Sequence, residues 1–143
     1  MDNKFETKFS ELQADMIAIC LEYCERKATE IFVHVIYERD SIFTNFFFRM
    51  KEEMYKKGML GDGIGKVSFP RQKEALSIIT NNYKELIFLC QNNSRPIPTE
   101  MRLVYDVRKG SLRANYSYDA ITTNEKTARD VTEAWFELNR VHK

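Results

Sequence analysis

Glycine and proline are scarce in this sequence, at 5 and 3 of its 143 residues. That share is far too small for a collagen-like or disordered chain. An excess of charge of one sign is also missing. The 22 basic and 21 acidic residues give a net charge of +1, so no overall field attracts nucleic acid or a membrane. The 43% of apolar residues is enough to bury one continuous core. We therefore expect residues 1–143 to form a single globular domain.

Long apolar runs are absent as well. No stretch approaches the roughly 18 apolar residues of a membrane span, and charged residues interrupt the N-terminal region where a signal peptide would need its apolar core. The three cysteines, Cys20, Cys24 and Cys90, cannot all pair, whereas a secreted chain of this size tends to carry an even number. We interpret them as reduced core thiols and expect a cytoplasmic protein.

Residues suited to catalysis or metal binding are few. The two histidines, His34 and His142, lie far apart, and the apolar neighbours of His34 are typical of a hydrogen-bonded core histidine. Cys20 and Cys24 share one helical face, but a zinc site needs about four ligands. The segment GDGIGK (61–66) lacks the spacing of a phosphate-binding loop. We therefore expect a protein that is not an enzyme, with no catalytic residue, no cofactor and no metal. The alternative hypothesis is a small enzyme or metal protein that uses the cysteines, and it predicts bound zinc.

The hydrophobic pattern predicts an α+β fold. Apolar residues at helical spacing indicate three helices, and runs of β-branched and aromatic residues indicate four strands and a weaker fifth. The predicted helices are 3–27, 70–92 and the segment after Thr122; the predicted strands are 30–38, 41–50, 54–60, 100–108 and 111–119. The order α-β-β-(β)-α-β-β-α favours an antiparallel sheet of four to five strands packed by helices.

The last helix has two predicted features. Thr122 and Glu125 have the spacing of a capping box, which would start the helix there. Its apolar face is predicted to bury Ala128, Val131, Trp135 and Leu138.

Several stretches resemble the YezG-like family of bacterial immunity proteins, which are antitoxins. The first is FTNFFFRM (43–50), followed by a charged hairpin into MYKKGML (54–60) and then GDG (61–63). The second is the amphipathic helix QKEALSIITNNYKELIFLC (72–90). The third is MRLVYDVRKGSLRANYSYDAI (101–121), which looks like that family's strand, turn and strand ending in an aromatic–Asp pair; a terminal helix with a tryptophan follows.

This resemblance implies a cytoplasmic protein that binds a cognate polymorphic toxin, commonly a nuclease delivered by a neighbouring cell in contact-dependent growth inhibition. It would block the toxin by stoichiometric occlusion. Such an inhibitor needs a charge-complementary surface, because charge steering speeds the encounter and contributes to partner choice. Two surfaces are candidates. The turn and loop around the third strand offer Glu52, Glu53 and Asp62. The polar faces of the last hairpin offer Arg102, Asp106, Arg113 and Asp119.

The main alternative is a nucleic-acid-binding module. Residues 49–73 carry seven basic and three acidic side chains, a net charge of +4. Aromatic side chains on a sheet can stack on bases, and binding through such a basic region would weaken steeply with salt. The aromatic residues concerned are Tyr37, Phe43 and Phe47, interleaved with Arg39 and Arg49.

Overall fold

The fold is α+β, as predicted, with antiparallel strands and helices in the expected order. The computed structural model describes residues 4–60 and 65–141, and the elements named below belong to that part of the chain. In chain order they are α1 (Lys4–Tyr23), β1 (Glu30–Glu38), β2 (Ser41–Met50), β3 (Glu53–Lys56), β4 (Met59–Leu60), β5 (Gly65–Lys66), α2 (Phe69–Asn92), β6 (Glu100–Asp106), β7 (Ser111–Ser117) and α3 (Ala128–Val141). None of these helices combines the length and the apolar character needed to cross a bilayer.

The main sheet has five antiparallel strands in the order β3-β2-β1-β6-β7, while β4 and β5 pair separately. Two-residue turns fix the register of its first three strands. Arg39 and Asp40 both have positive φ, at 53° and 61°, and so do Lys51 and Glu52, at 48° and 68°. That geometry is typical of type I′ turns, whose twist matches the flanking strands. The predicted strands 30–38 and 41–50 leave room for a two-residue turn at 39–40, and β1 and β2 have the predicted bounds.

Helices cover both faces of the sheet. α1 and α2 bury one face, together with the inward side chains of Phe46 and Phe48. α3 covers the other, where Phe32, Phe47 and Trp135 form a smaller apolar cluster. Successive side chains of a strand point to opposite faces. The run of three phenylalanines at 46–48 therefore serves both layers, which explains why apolar residues occupy both faces of β2.

Several predicted boundaries are wrong by a few residues. α1 ends at Tyr23, not near residue 27, because Glu25 and Arg26 have positive φ and the Arg26 N–H donates to the Leu21 carbonyl at 2.9 Å, a Schellman-type ending. The predicted strand 54–60 is divided into β3 and β4. Only β3 pairs with β2, whereas Met59 of β4 pairs with Lys66 of β5. The start of the first helix at Asn3 and the glycine loop at 61–64 lie outside the described residues.

The predicted start of the last helix is also wrong. Thr122 does not cap α3, because its hydroxyl and backbone N–H both donate to the carboxylate of Glu38, at 2.6 and 2.9 Å. The capping box lies five residues later: Asp130 N–H donates to Thr127 Oγ1 at 3.2 Å, and Thr127 N–H donates to Asp130 at 2.9 Å. These bonds lower the pKa of Asp130.

The apolar face of α3 is only partly as predicted. Val131 and Trp135 are buried, as the spacing indicated, but Leu138 is 54% exposed. Phe136 and Thr132 occupy the buried face in its place. α3 therefore contacts the sheet through Val131 and Trp135 and through the residue that follows each of them, Thr132 and Phe136. The contact face is rotated away from Leu138.

Replacing Trp135 by alanine should lower the free energy of unfolding by about 3–5 kcal/mol, because the indole is 6% exposed and contacts Phe32 and Phe47 edge-on. Chemical denaturation monitored by circular dichroism measures this. Leu138→Ala is the matched control on the same helix and should change stability by less than about 0.5 kcal/mol. Equal losses in the two variants would contradict this account of the docking of α3.

Candidate functional site

A buried polar network surrounds His34 at the centre of β1. Its Nε2 lies 2.6 Å from a Glu100 carboxylate oxygen, and its Nδ1 lies 2.7 Å from Thr132 Oγ1. The histidine is 0% exposed, which confirms the expected hydrogen-bonded core residue. Its two partners come from β6 and α3, so one imidazole connects the central strand with a neighbouring strand and with the helix that covers this face of the sheet.

The charge state of this network follows from burial and hydrogen bonding. Burial lowers the pKa of His34 below its ordinary 6.5 and outweighs the opposing effect of Glu100. Burial acts to raise the pKa of Glu100, but the hydrogen bonds from His34 and Arg102 and the Arg102 charge lower it to about 2. Glu100 is thus ionised at neutral pH, and His34 is neutral. Neutral His34 then donates from Nε2 to Glu100 and accepts the Thr132 hydroxyl proton at Nδ1.

Arg102 and Trp135 complete the network. Arg102 Nε donates to Glu100 at 2.9 Å, and its guanidinium carbon lies 5.1 Å from the Trp135 ring centroid. Trp135 also contacts the His34 ring edge-on, with centroids 5.0 Å apart. Arg102, predicted as a partner-binding residue, is therefore held between the sheet and α3.

The order Thr132, His34, Glu100 matches the hydroxyl, base and orienting carboxylate of a catalytic triad. One observation favours a structural role for it here: His34 and Thr132 are 0% and 3% exposed. The arrangement ties α3 to β1 and satisfies the polar atom that the central strand buries.

A second polar site lies where the strands meet at one end of the sheet. We call this surface the sheet-end depression; it has a volume of about 450 Å³. Three residues predicted from separate parts of the sequence, Glu52, Asp106 and Arg113, line it together. The register explains their meeting, because Glu30 on β1 is paired with both Arg49 on β2 and Asp106 on β6.

Arg49 is the most buried cation of this depression, at 12% side-chain exposure. Its Nε donates to Glu30 at 2.6 Å and its Nη2 donates to the Asn139 carbonyl at 3.0 Å. Its Nη1 is buried with no hydrogen-bond partner among residues 4–60 and 65–141. A buried donor without a partner is costly. The sequence placed Arg49 in the basic stretch but did not identify it as a partner-binding residue.

The other predicted partner-binding residues lie elsewhere. Glu53 begins β3, is exposed, and accepts a hydrogen bond from Tyr55 Oη at 3.2 Å. Asp119 follows β7 near the opposite end of the sheet, where its carbonyl accepts from Thr99 Oγ1 at 2.6 Å. Asp62 lies outside the described residues.

The aromatic and basic residues of the nucleic-acid hypothesis do not share one surface. Phe47 is buried under α3, and Tyr37 packs on the opposite face of the sheet with α1 and α2. Arg71 lies against the Tyr23 ring, at 5.1 Å from its centroid, whereas Lys56 pairs with Glu133 on α3 at 2.8 Å. The positive charge of residues 49–73 is thus distributed over several faces among the described residues.

The cysteines are free and buried. Burial raises the pKa of Cys20 well above that of an ordinary thiol and also raises the pKa of Cys90, so neither is activated as a thiolate. Within the described part of the chain, no three histidine, cysteine or acidic side chains lie close enough together to hold a metal ion.

Comparison with known proteins gives no further assignment. No protein-family model matches the chain, and no curated protein shows significant similarity to it. The hypothesis of a YezG-like immunity protein therefore rests on the sequence resemblance and on the surfaces described above.

The His34 network predicts a loss of stability on mild acidification. Because the pKa of His34 is lower in the folded protein than its ordinary 6.5, the unfolded chain binds more protons below that pH. The free energy of unfolding should therefore fall as the pH drops from about 7 to about 5.5. Glu100 adds a further loss from its ordinary 4.5 down to about 2. Denaturant titrations at each pH measure both effects.

The two histidines provide a matched pair of variants. His34→Gln should remove most of the stability change between about pH 7 and 5.5, and His142→Gln, at a position outside the described residues, gives the comparison with the other histidine removed. A rise in wild-type stability over that range would show that His34 is protonated in the folded state, contrary to this assignment.

Proposed function

We propose that this chain is a bacterial immunity protein that binds a cognate toxin in the cytoplasm and blocks it by occlusion. The toxin class that the resemblance suggests is a nuclease. The observation that carries the proposal is the meeting of Glu52, Asp106 and Arg113 around one sheet-end depression. These residues were selected from the sequence as partner-binding, and strand pairing brings them to one surface.

The sheet-end depression carries both acidic and basic side chains, and the strands and a tight turn hold them in place. Glu52 lies in the β2–β3 turn, Asp106 ends β6, and Arg113 belongs to β7. Asp106 is itself fixed, since its Oδ1 accepts the Lys109 N–H at 3.0 Å. A surface held by strand ends loses little conformational entropy when a partner binds. Such preorganisation suits an inhibitor that must bind tightly in a 1:1 complex.

Charge supplies the selectivity in this proposal. The carboxylates of Glu52 and Asp106 suit basic side chains of a nuclease, whose substrate is a polyanion. Inhibition then needs no chemistry from this chain, because a bound protein excludes nucleic acid from the toxin's active site.

Charge reversal at Glu52 tests this surface. The chain is co-expressed with the C-terminal domain of the toxin encoded beside its gene, and affinity is measured by calorimetry. Glu52→Lys should weaken binding at least about tenfold and reduce growth rescue, because it replaces a carboxylate that attracts basic side chains of the toxin by a cation that repels them. Glu85→Lys makes the same charge change at an exposed position on α2 and should bind like wild type.

Two outcomes would overturn the proposal. One is the absence of a complex between this chain and a soluble, folded toxin domain. The other is tight, strongly salt-dependent binding of an oligonucleotide to the isolated chain, which would support the nucleic-acid-binding alternative.

A further inference from the structure

The outer edge of β2 is only partly paired. β3 pairs with Phe47–Met50, so among the described residues Ser41–Phe46 has a neighbouring strand on the β1 side alone. Glu38 and Ser41 flank a two-residue turn and form a hydrogen-bonded pair, and such pairs alternate along an antiparallel ladder. The backbone N–H and C=O groups of Ile42 and Thr44 therefore point away from β1, toward an open edge.

A groove of about 340 Å³ runs along this edge. Leu76 of α2 forms one wall and Phe136 of α3 forms the other, so the groove lies between the two helical layers, where the sheet itself would continue. We call it the edge groove. Residues 43–45 are half-buried in it. The Phe46 N–H already has a local acceptor, the side chain of Asn45 at 2.9 Å.

Three cations crowd the edge groove. Lys56, Lys57 and Arg129 line it, against the single carboxylate of Glu133. Lys56 holds that carboxylate at 2.8 and 3.0 Å, while Lys57 donates to Asn45 at 3.0 Å. Burial, followed by the charges of Arg129 and Lys56, lowers the pKa of Lys57. A carboxylate entering the groove would relieve this repulsion.

Open sheet edges pair readily with another chain, and proteins commonly cover or block them. Here the open edge lies in a groove between helices on the two faces of the sheet, and the lining of this groove is positively charged. An extended polypeptide supplies the missing backbone partners, and acidic side chains on it supply the missing negative charge. A nucleic acid would satisfy the charge but not the row of backbone donors and acceptors.

We infer that the edge groove binds an extended acidic segment of a partner protein, which pairs with Ile42–Phe46 of β2 and places a carboxylate near Lys57 and Arg129. This inference does not depend on the toxin-binding proposal, because the edge groove and the sheet-end depression have no lining residue in common. The partner segment adds a strand to the sheet beyond the end of β3.

The probe for this inference is a capped heptapeptide that alternates glutamate with threonine and valine, long enough to span the six residues Ser41–Phe46. Binding is followed by NMR of the labelled protein. We expect saturable shifts centred on residues 42–46 and slower hydrogen exchange at the Thr44 amide. The same peptide with lysine in place of glutamate should bind at least about tenfold more weakly.

Two variants at Thr44 separate backbone pairing from side-chain contact. Thr44→Pro removes the outward N–H at a position where an edge strand tolerates proline, and should weaken binding about tenfold or more. Thr44→Val removes the hydroxyl that lies 3.1 Å from Thr80 but keeps the N–H, and should bind within about twofold of wild type. Thr44→Val also controls for any loss of stability caused by the missing hydroxyl.

Charge reversal tests the cationic lining. Arg129→Glu should weaken peptide binding about tenfold, and Lys126→Glu, the same change at an exposed position before α3, should have little effect. The inference is overturned if the peptide causes no shifts at about 1 mM, or if its shifts centre on the sheet-end depression. It is equally overturned if a single-stranded oligonucleotide binds the edge groove more tightly than the peptide.

Discussion

The burial of β1 on both faces and both edges is the constraint on which the remaining structure depends. Ile31–Ile36 is a run of six buried residues, paired with β2 on one side and β6 on the other. An apolar strand of this kind needs a helical layer above and below it. His34 is the polar residue within that run, and burying it without partners would cost several kcal/mol. Glu100 and Thr132 prevent that cost and fix how the layers meet.

Local sequence patterns predicted the elements whose determinants are local. β1 and β2 have their predicted bounds because two dense β-branched and aromatic runs flank a turn at Arg39 and Asp40. The start of α3 could not be chosen in this way, since the capping-box spacing occurs at both Thr122 and Thr127. The decision comes from Glu38, which lies 84 residues before Thr122 and occupies its hydroxyl and N–H. A distant carboxylate thus overrides a favourable local pattern.

The candidate sites show the same difference between features set by local sequence and features set by distant residues. The sequence identified His34 as a core residue, but its partners lie 66 and 98 residues away with no local pattern to indicate them. Glu52, Asp106 and Arg113 were selected for charge and position in turns and hairpins. Their meeting at one depression depends on the strand order, in which β6 lies beside β1 and not beside β2 or β3. The edge groove likewise depends on β3 pairing with β2 over only four residues.

α3 connects the buried network with both surfaces. Its C-terminal part supplies the Asn139 carbonyl that holds Arg49 at the sheet-end depression, and its N-terminal part supplies Arg129 to the edge groove. Between them, Thr132 and Trp135 fasten the helix to His34. Protonation of His34 would remove the acceptor for Thr132 and place a positive charge near Arg102. Because Thr132 also lines the edge groove, the docking of this one helix links the His34 network to the shape of both surfaces.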